Sequence, residues 1–462
     1  RQTLFVANDG VHGRELWRSD GSAAGTELVA DLHPSASSAK PADLVAFNDR
    51  IYFTVEDSIH GRSVWGSDGT AAGTAVVAPE VWARPGTLTA TESRLFFVEL
   101  EAGLPLWVSD GTASGTQRLD VADDVHAPTP VGDVLYFAAG AIGQQLWRSD
   151  GTVQGTRRVV DVNPFYNPIC QPLICFPVDF PNQLTAAGES LFFVAFEEGA
   201  EEQLWHTDGT AEGSKMLREF AEPPTQLTAL STAVVFSASD ITDTRQLWAS
   251  DGTPQGTVPL TGSEGANPRE LLRLGDSAFF ASRVGDFADE LWRSDGTVEG
   301  TQRVSRLTMT DAPSQITEMA ADDGRIFLAV YNERIGHELW VSGGTAAGTY
   351  PLANIRRGRP GLSPHSLVAT EGLLLFAADD GRSGVEPWIS DGTERGTRRL
   401  QDLALGQRAS NPAHFTRIGS LVFFSATADN VGRELFALDV SELQHQVPVG
   451  FADTPGDLPL SR

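Results

Sequence analysis

The chain is built from ten copies of one short phrase, and this repetition constrains the fold more than any other feature. The first copy reads ELWRSDGSAAGT over 15–26, and the tenth is a degraded copy, ELFALDV, over 434–440. Consecutive aromatic anchors lie 40 to 58 residues apart. A period in the forties, with short apolar runs between Asp-Gly turns, is typical of repeat folds made of small β units. The ten anchors are Trp17, Trp65, Trp107, Trp147, Trp205, Trp248, Trp292, Trp340, Trp388 and Phe436.

One repeat, over 364–403, predicts four short strands. PHSLVATEG predicts the first strand, LLLFAADD the second, VEPWISDGT the third and GTRRLQDL the fourth. Gly, Asp and Pro separate these runs, as is usual between strands. The apolar and aromatic second strand indicates a sheet that is covered on both faces. Four antiparallel strands between similar neighbours describe a blade of a β-propeller.

The predicted fold is therefore all-β, a propeller of about ten four-stranded blades in a single domain over 1–462. Only nine first strands are visible in the sequence, so we expect the ring to be closed by pairing of the chain termini. Two smaller propellers in tandem and an open β array are the alternatives. The chain shows no linker-like break between its halves, which favours the single domain.

The Asp-Gly pairs predict a tight turn between the third and fourth strands of each blade. Glycine takes a positive φ at no steric cost, and aspartate accepts hydrogen bonds from turn amides. Gly343 replaces the aspartate in the eighth copy, so that turn is expected to lose this acceptor. Each tryptophan is expected to pack between adjacent blades, burying about 150–250 Å².

These repeats resemble the ELWxxDGTxxGT repeat family of bacterial, largely secreted proteins, and the resemblance covers nearly the whole chain. It implies a propeller-like β array on a secreted or surface protein. The Gly-x-Glu-Leu-Trp run is also similar to the tryptophan-docking motif of quinoprotein propellers. The adjacent cysteine pair of those proteins is missing from this sequence, so no quinone cofactor is expected. The resemblance brings no catalytic residues with it.

Composition narrows the classes of partner. With 34 basic and 61 acidic residues, the formal net charge of −27 argues against nucleic acid and against anionic membrane surfaces. No apolar run reaches about 18 residues, so no membrane insertion is expected. We expect a secreted or cell-surface protein whose leader is removed or absent from this sequence.

The only two cysteines, Cys170 and Cys175, are close in sequence. They suit a local disulfide in an oxidising compartment, and a reduced pair is the alternative. Their CxxxxC spacing, without a second pair, disfavours a metal site.

The longest anchor spacing, 58 residues, marks an insertion at about 161–182. Five prolines and the cysteine pair would stiffen this loop, and a stiff apolar loop loses little entropy on binding. The alternative is a cap over a blade end or over the channel. The aromatic candidates for ligand binding in the insertion are Phe165, Tyr166, Phe176 and Phe180.

A second candidate set lies just before the apolar anchor of each first strand. Inner strands of propellers border the central channel, where ligands often bind, and glutamine amides suit sugar hydroxyls. A solvated channel wall is the alternative. The set consists of Asp43, Thr87, Gln183, Gln226, Glu270, Gln315, Ser366 and His414.

These features favour a binding or adhesion protein for a glycan or a protein ligand, and not an enzyme. The sequence has no HExxH, P-loop, GxGxxG or GxSxG motif. Its acidic clusters match no full calcium loop, so no metal or cofactor is predicted beyond weakly bound calcium. The alternatives are an extracellular hydrolase or lyase using channel carboxylates such as Glu270 and Asp43, and a purely structural scaffold.

Overall fold

A computed structural model shows a protein whose regular structure, over the described residues, is entirely β. Its 38 strands form ten antiparallel sheets, eight with four strands and two with three. The described residues are 3–8, 11–20, 22, 24–32, 39–57, 61–79, 81–101, 103–119, 124–140, 145–160, 181–196, 202–240, 245–262, 265–284, 288–307, 312–322, 324–353, 361–418, 421–428 and 432–439.

The first five sheets, which we call blades 1 to 5, follow one another in chain order. Blade 1 holds β1 (Thr3–Asn8), β2 (Arg14–Ser19) and β3 (Glu27–Ala30). Blade 2 holds β4 (Ala42–Phe47), β5 (Arg50–Asp57), β6 (Gly61–Ser67) and β7 (Ala75–Ala78). Blade 3 holds β8 (Thr89–Ala90), β9 (Leu95–Val98), β10 (Leu106–Ser109) and β11 (Gln117–Leu119). Blade 4 holds β12 (His126–Val131), β13 (Val134–Ala139), β14 (Gln145–Ser149) and β15 (Arg157–Val160). Blade 5 holds β16 (Asn182–Ala187), β17 (Ser190–Phe196), β18 (Glu202–Thr207) and β19 (Lys215–Phe220).

Blades 6 to 10 continue the same order. Blade 6 holds β20 (Glu222–Ala229), β21 (Val234–Ser239), β22 (Arg245–Ser250) and β23 (Val258–Pro259). Blade 7 holds β24 (Arg269–Leu274), β25 (Ser277–Val284), β26 (Ala288–Ser294) and β27 (Gln302–Arg306). Blade 8 holds β28 (Ser314–Asp322), β29 (Arg325–Asn332), β30 (Gly336–Ser342) and β31 (Thr349–Ala353). Blade 9 holds β32 (His365–Thr370), β33 (Leu373–Asp379), β34 (Val385–Ser390) and β35 (Arg398–Arg399). Blade 10 holds β36 (Ala413–Ile418), β37 (Leu421–Ala428) and β38 (Gly432–Asp439).

The predicted fold class, an all-β propeller of ten blades, is confirmed. Every sheet pairs its strands in chain order, each antiparallel to the next. Over the described part of the chain, blade 1 has no first strand and blade 10 has no fourth strand. The tail that we expected to complete the blades by pairing of the termini falls in 440–462, outside the described residues.

The chain divides into two compact units. The N-terminal unit comprises Leu4–Arg18 and Glu27–Pro259, and it holds blades 2 to 6 and all of blade 1 except Thr3 and Ser19. The C-terminal unit comprises Arg1–Thr3, Ser19–Thr26 and Leu260–Arg462, and it holds blades 7 to 10.

Within each unit the core lies between successive blades. Phe97 of β9 and Trp107 of β10 are cross-strand partners whose rings stack at 6.0 Å. Trp107 packs on a buried cluster that combines Tyr52 and Val64 of blade 2 with residues of blade 3. The apolar side chains of the second strands and the repeat tryptophan thus fill the space between neighbouring blades.

Candidate functional site

Each blade has two different edges. Because the strands are antiparallel, the connection between the third and fourth strands lies at one edge, which we call the turn edge. The connection from the second to the third strand lies at the opposite edge, together with the start of the first strand. We call this opposite edge the loop edge. The repeated Asp-Gly turns lie at the turn edge, and the predicted polar candidates lie at the loop edge.

At the turn edge, the residues of an Asp-Gly turn form hydrogen bonds with one another, as blade 3 illustrates. The Asp110 Oδ1 atom accepts bonds from the Thr112 backbone N–H (2.9 Å) and hydroxyl (2.7 Å). The Thr112 hydroxyl accepts a bond from the Gly115 N–H (3.0 Å). The Thr116 hydroxyl donates to the Thr112 carbonyl (2.7 Å) and lies 2.7 Å from the Ser109 hydroxyl. Hydrogen bonds from Thr112 lower the pKa of Asp110. The polar atoms of the phrase therefore serve the turn itself.

The second glycine of the phrase is required by the aspartate. A Cβ atom placed on Gly115 would lie 2.1 Å from Asp110 Oδ1, far inside van der Waals contact. In blade 8, where Gly343 replaces the aspartate, the atom nearest to a Cβ on Gly348 is the Thr345 hydroxyl at 2.9 Å. The DGTxxGT spacing is thus explained by packing of a carboxylate over a glycine.

At the loop edge, most first strands contain one residue with a left-handed backbone within a β-bulge, and it is usually the second residue of the strand. In blade 2, for example, the pairing steps from Ala42↔Thr54 to Val45↔Tyr52, so one extra residue is inserted. A left-handed conformation costs a non-glycine residue about 1–2 kcal/mol, and bulges redirect side chains. The bulge residues, with their φ angles, are Asp43 (55°), Ala127 (48°), Gln183 (49°), Gln226 (57°), Glu270 (55°), Ser366 (56°) and His414 (58°).

Two residues of the predicted set do not share this geometry. Gln315 lies on β28 opposite Tyr331, and the bulge of that strand falls between Ile316 and Glu318. Thr87 lies before β8, where it is buried and its hydroxyl donates to the Arg84 carbonyl (2.7 Å). Equal spacing in sequence therefore did not give equal positions in these two blades.

Some bulge residues fasten neighbouring blades together. The Asp43 Oδ2 atom accepts bonds from the Gly86 N–H (2.8 Å) and the Thr54 hydroxyl (3.2 Å). The Gln183 amide donates to the Pro224 carbonyl of the following blade (2.6 Å). These side chains have structural partners, so a structural role explains them.

Other bulge residues are exposed. The side chains of Gln226, Glu270 and His414 all face solvent. His414 Nδ1 lies 3.3 Å from the Ser425 hydroxyl. Asp43 belongs to the N-terminal unit and Glu270 to the C-terminal unit.

The glutamate of the ELW phrase fastens the loop edge, a role that sequence reasoning missed. Glu15 is fully buried and accepts the N–H groups of Leu32 and Ala39, each at 3.0 Å. Glu386 accepts the N–H groups of Leu403 (3.0 Å) and Ser410 (3.2 Å). Each carboxylate thereby holds the connection that leads to the next blade. The glutamate lies two residues before the aromatic anchor, and this spacing is the sequence signal that could have revealed its role.

Burial raises the pKa of two glutamates that lie two residues before a repeat tryptophan, Glu386 and Glu338. Desolvation raises the pKa of Glu386 to about 7, although its backbone hydrogen bonds act in the opposite direction. Desolvation raises the pKa of Glu338 to about 8. Among the described residues, neither carboxylate oxygen of Glu338 has a hydrogen-bond partner. Burial therefore favours the protonated form of Glu338.

Sequence reasoning also missed Trp82. It is the one tryptophan outside the repeat register, and it lies at the loop edge of blade 3 with 57% of its surface exposed. The count of ten tryptophans against nine tryptophan anchors would have revealed it.

Three other predictions bear on site chemistry. Over the described residues, no group of three or more His, Cys, Asp or Glu side chains could hold a metal ion. That same part of the chain contains no helix long and apolar enough to cross a membrane. The insertion candidates Phe165, Tyr166, Phe176 and Phe180, like Cys170 and Cys175, lie outside the described residues.

No family model matches the chain, and no curated protein matches it. Among solved structures it is similar to the tricorn protease, with 10% identity and a TM-score of 0.36 over 96% of this chain and 47% of that one. It therefore spans about half the length of that protein. A prolyl endopeptidase structure matches at 9% identity and a TM-score of 0.40, over 84% of this chain and 54% of that one. The β-propeller domain of the Trilobed protease from Pyrococcus furiosus matches at 12% identity and 0.33, over 68% and 95%. At these scores the likenesses add nothing to the fold that the sheets define.

Proposed function

We propose that this chain is a secreted or cell-surface binding protein of the ELWxxDGT repeat kind, which uses its propeller as a rigid platform for a glycan or protein ligand. The observation that carries the proposal is the series of loop-edge bulges with polar side chains. Left-handed backbone at non-glycine residues persists where the surrounding structure enforces it, and such strain clusters at ligand sites. A bulge also aims its side chain away from the regular pleat.

The exposed bulge residues are the ones best suited to ligand contact. Glu270 and His414 are exposed in the C-terminal unit, and Gln226 is exposed in the N-terminal unit. Carboxylate, imidazole and amide groups all exchange hydrogen bonds with sugar hydroxyls or peptide groups. Rigid strands hold them in place, so little entropy is lost on binding.

Substitution in the C-terminal unit tests this assignment. The wild-type protein is screened on a glycan array and by pull-down from surface extracts, and its affinity for any ligand found is measured by calorimetry. The double variant Glu270→Ala with His414→Ala is expected to bind roughly tenfold or more weakly, since each lost polar contact contributes about 0.5–1.5 kcal/mol. Unchanged affinity in this variant would reject the bulges as the site.

A matched control separates binding from general charge. Glu299 is an exposed carboxylate of the same blade as Glu270, but it lies in the Asp-Gly turn at the turn edge. Glu299→Ala is expected to bind like wild type. A comparable loss in this control would assign the effect to net charge.

Location and the disulfide form part of the same proposal. Immunoblotting of culture medium, surface and cytoplasmic fractions is expected to place the protein outside the cytoplasm. Alkylation without reduction is expected to leave Cys170 and Cys175 unmodified. Recovery from the cytoplasm with both thiols alkylated would reject this part.

A further inference from the structure

Trp82 is the one tryptophan that the repeat does not use. The nine repeat tryptophans are buried or half-buried between strands, whereas Trp82 has 57% of its surface exposed. Exposing a large aromatic side chain gives up burial energy that the other nine contribute. Folding of the blade therefore does not account for this side chain.

The fold places a buried residue at this position in other blades. The Trp82 carbonyl accepts the Leu100 N–H (2.5 Å), at the point where the chain enters the first strand. Ala39, Leu362 and Ser410 make the same backbone bond in blades 2, 9 and 10. All three are fully buried. Blade 3 thus departs from the repeat by presenting an aromatic ring to solvent.

A second exposed apolar side chain lies beside Trp82. Ala83 and Glu99 form an antiparallel bridge, so Trp82 and Leu100 are directly opposite and their side chains share one face. Leu100 is 49% exposed. The next residue, Glu101, is half-exposed and lies 4.0 Å from the Arg118 guanidinium. Trp82 and Leu100 thus form a small apolar platform, and a charged side chain, Glu101, follows Leu100 in the chain.

We propose that Trp82 and Leu100 form a carbohydrate-binding platform, on which the C–H face of one pyranose ring stacks against the indole. The inference rests on the proposed binding function, but it names a site separate from the bulges and one ligand class. A sugar presents an apolar face with hydroxyls around its edge, and that apolar face complements a flat aromatic group beside a second exposed apolar side chain.

The size and charge of the platform disfavour other occupants. A stable protein interface buries about 800 Å² per partner, with several large anchors. Trp82 and Leu100 are only two side chains. A nucleobase also stacks on tryptophan, but a net charge of −27 opposes nucleic acid. A neutral glycan fits both constraints.

The test uses the full chain and defined probes. Affinity for glycan-array hits and for cellohexaose, maltohexaose and N-acetylchitohexaose is measured by calorimetry. Trp82→Ala is expected to weaken binding roughly tenfold or more, and Trp82→Phe to retain most of the affinity, since an aromatic face remains. Val153→Ala is the matched control, because Val153 has the same 57% exposure at the turn edge of blade 4.

Oxidation of the wild-type protein gives an answer that does not depend on a variant. N-bromosuccinimide is expected to oxidise Trp82 before the repeat tryptophans, and a bound oligosaccharide is expected to protect it. Equal affinity of Trp82→Ala and wild type, or oxidation unaffected by saturating oligosaccharide, would overturn the proposal. So would the lack of any glycan ligand.

The two proposals fail separately. If Trp82→Ala loses glycan binding and the Glu270→Ala, His414→Ala variant keeps it, the platform stands and the bulges are rejected. The reverse pattern rejects the platform and supports the bulges. If only a protein ligand is found, and bulge substitution weakens its binding, the carbohydrate inference is wrong and the binding function stands.

Discussion

The two edges of the blades differ in what the repeat preserves. At the turn edge, the same aspartate, threonine and glycine atoms form the same bonds in blade after blade, with Asp110 of blade 3 and Asp295 of blade 7 as equivalents. At the loop edge, the backbone bulge recurs while its residue changes, from Asp43 to Gln183 to His414. Sequence repetition therefore identifies what folding requires. Variation on a constant backbone identifies positions that folding leaves free, and these are the positions that we propose for ligand recognition.

Backbone strain also differs between the Asp-Gly turns and the bulges of the first strands. The Asp-Gly turns carry their left-handed residue on glycine, such as Gly111 (φ 92°). The bulges of the first strands carry theirs on residues with side chains, such as Glu270 (φ 55°). Glycine accepts this backbone without steric cost, whereas glutamate does not. These bulges thus keep side chains at positions where glycine would relieve the steric strain of the backbone.

The largest predicted effect is on the turn edge. In blade 7, a Cβ atom on Gly300 would lie 1.9 Å from Asp295 Oδ1. Gly300→Ala must displace the carboxylate and break its bonds to Thr297, so we expect a loss of about 2 kcal/mol or more in unfolding free energy. Urea denaturation followed by tryptophan fluorescence measures it.

Two glycine controls sharpen this prediction. Gly348→Ala in blade 8 meets only the Thr345 hydroxyl at 2.9 Å, and a Cβ on Gly262 meets nothing within 4 Å. We expect Gly348→Ala to cost less than Gly300→Ala, and Gly262→Ala to cost least. Equal losses in all three would show that backbone flexibility decides the result and not the carboxylate.

The next effect concerns a buried glutamate near the loop edge. A carboxyl whose pKa is raised from 4.5 to about 8 is ionised in the unfolded chain above about pH 5 but keeps its proton in the folded chain up to about pH 8. The folded state then binds more protons, so stability falls as pH rises through this window. Glu338→Gln removes this dependence, and we expect a gain relative to wild type on the order of 2 kcal/mol between pH 5 and pH 8.

Glu386→Gln is the matched control for that measurement. Glu386 accepts several backbone N–H groups, and an amide would turn a donor toward some of them. We expect this variant to be less stable than wild type across the same pH range. A Glu338→Gln variant with the wild-type pH profile would mean that the buried carboxyl is paired after all.

Much of the architecture could be predicted because the same pattern of strands and turns occurs ten times in the sequence. Strands, turns and the role of the Asp-Gly pairs follow from local patterns that each blade repeats. The bulges could not be predicted, because a one-residue offset depends on pairing between strands. Gln315 and Gln183 look equivalent in sequence, yet only Gln183 takes the left-handed backbone. Trp82 was missed because it lies outside the repeat positions from which the strands and the candidate residues were predicted.

A smaller effect is expected from repairing the exceptional turn. Gly343 stands where other copies have aspartate, and a Cβ there meets nothing within 4 Å. Gly343→Asp can supply the acceptor that Asp295 supplies to Thr297, now for Thr345. We expect a gain of about 1 kcal/mol in unfolding free energy. Gly343→Ala, which adds no acceptor, is the control, and an equal gain there would assign the effect to chain entropy.

The smallest effect is the most direct test of the difference between the edges. Glu270→Gly relieves a left-handed backbone but adds chain entropy, so we expect stability to be unchanged or raised by less than about 1 kcal/mol. Arg273 is exposed on the same strand without a positive φ, so Arg273→Gly is expected to lose about 1 kcal/mol. Thermal and urea denaturation compare the two variants, and calorimetry measures ligand binding. Weaker binding by Glu270→Gly without loss of stability would mean that the loop edge keeps this side chain for recognition. A stability loss matching that of Arg273→Gly would instead make Glu270 part of the fold, and the contrast between the edges would fail at this residue.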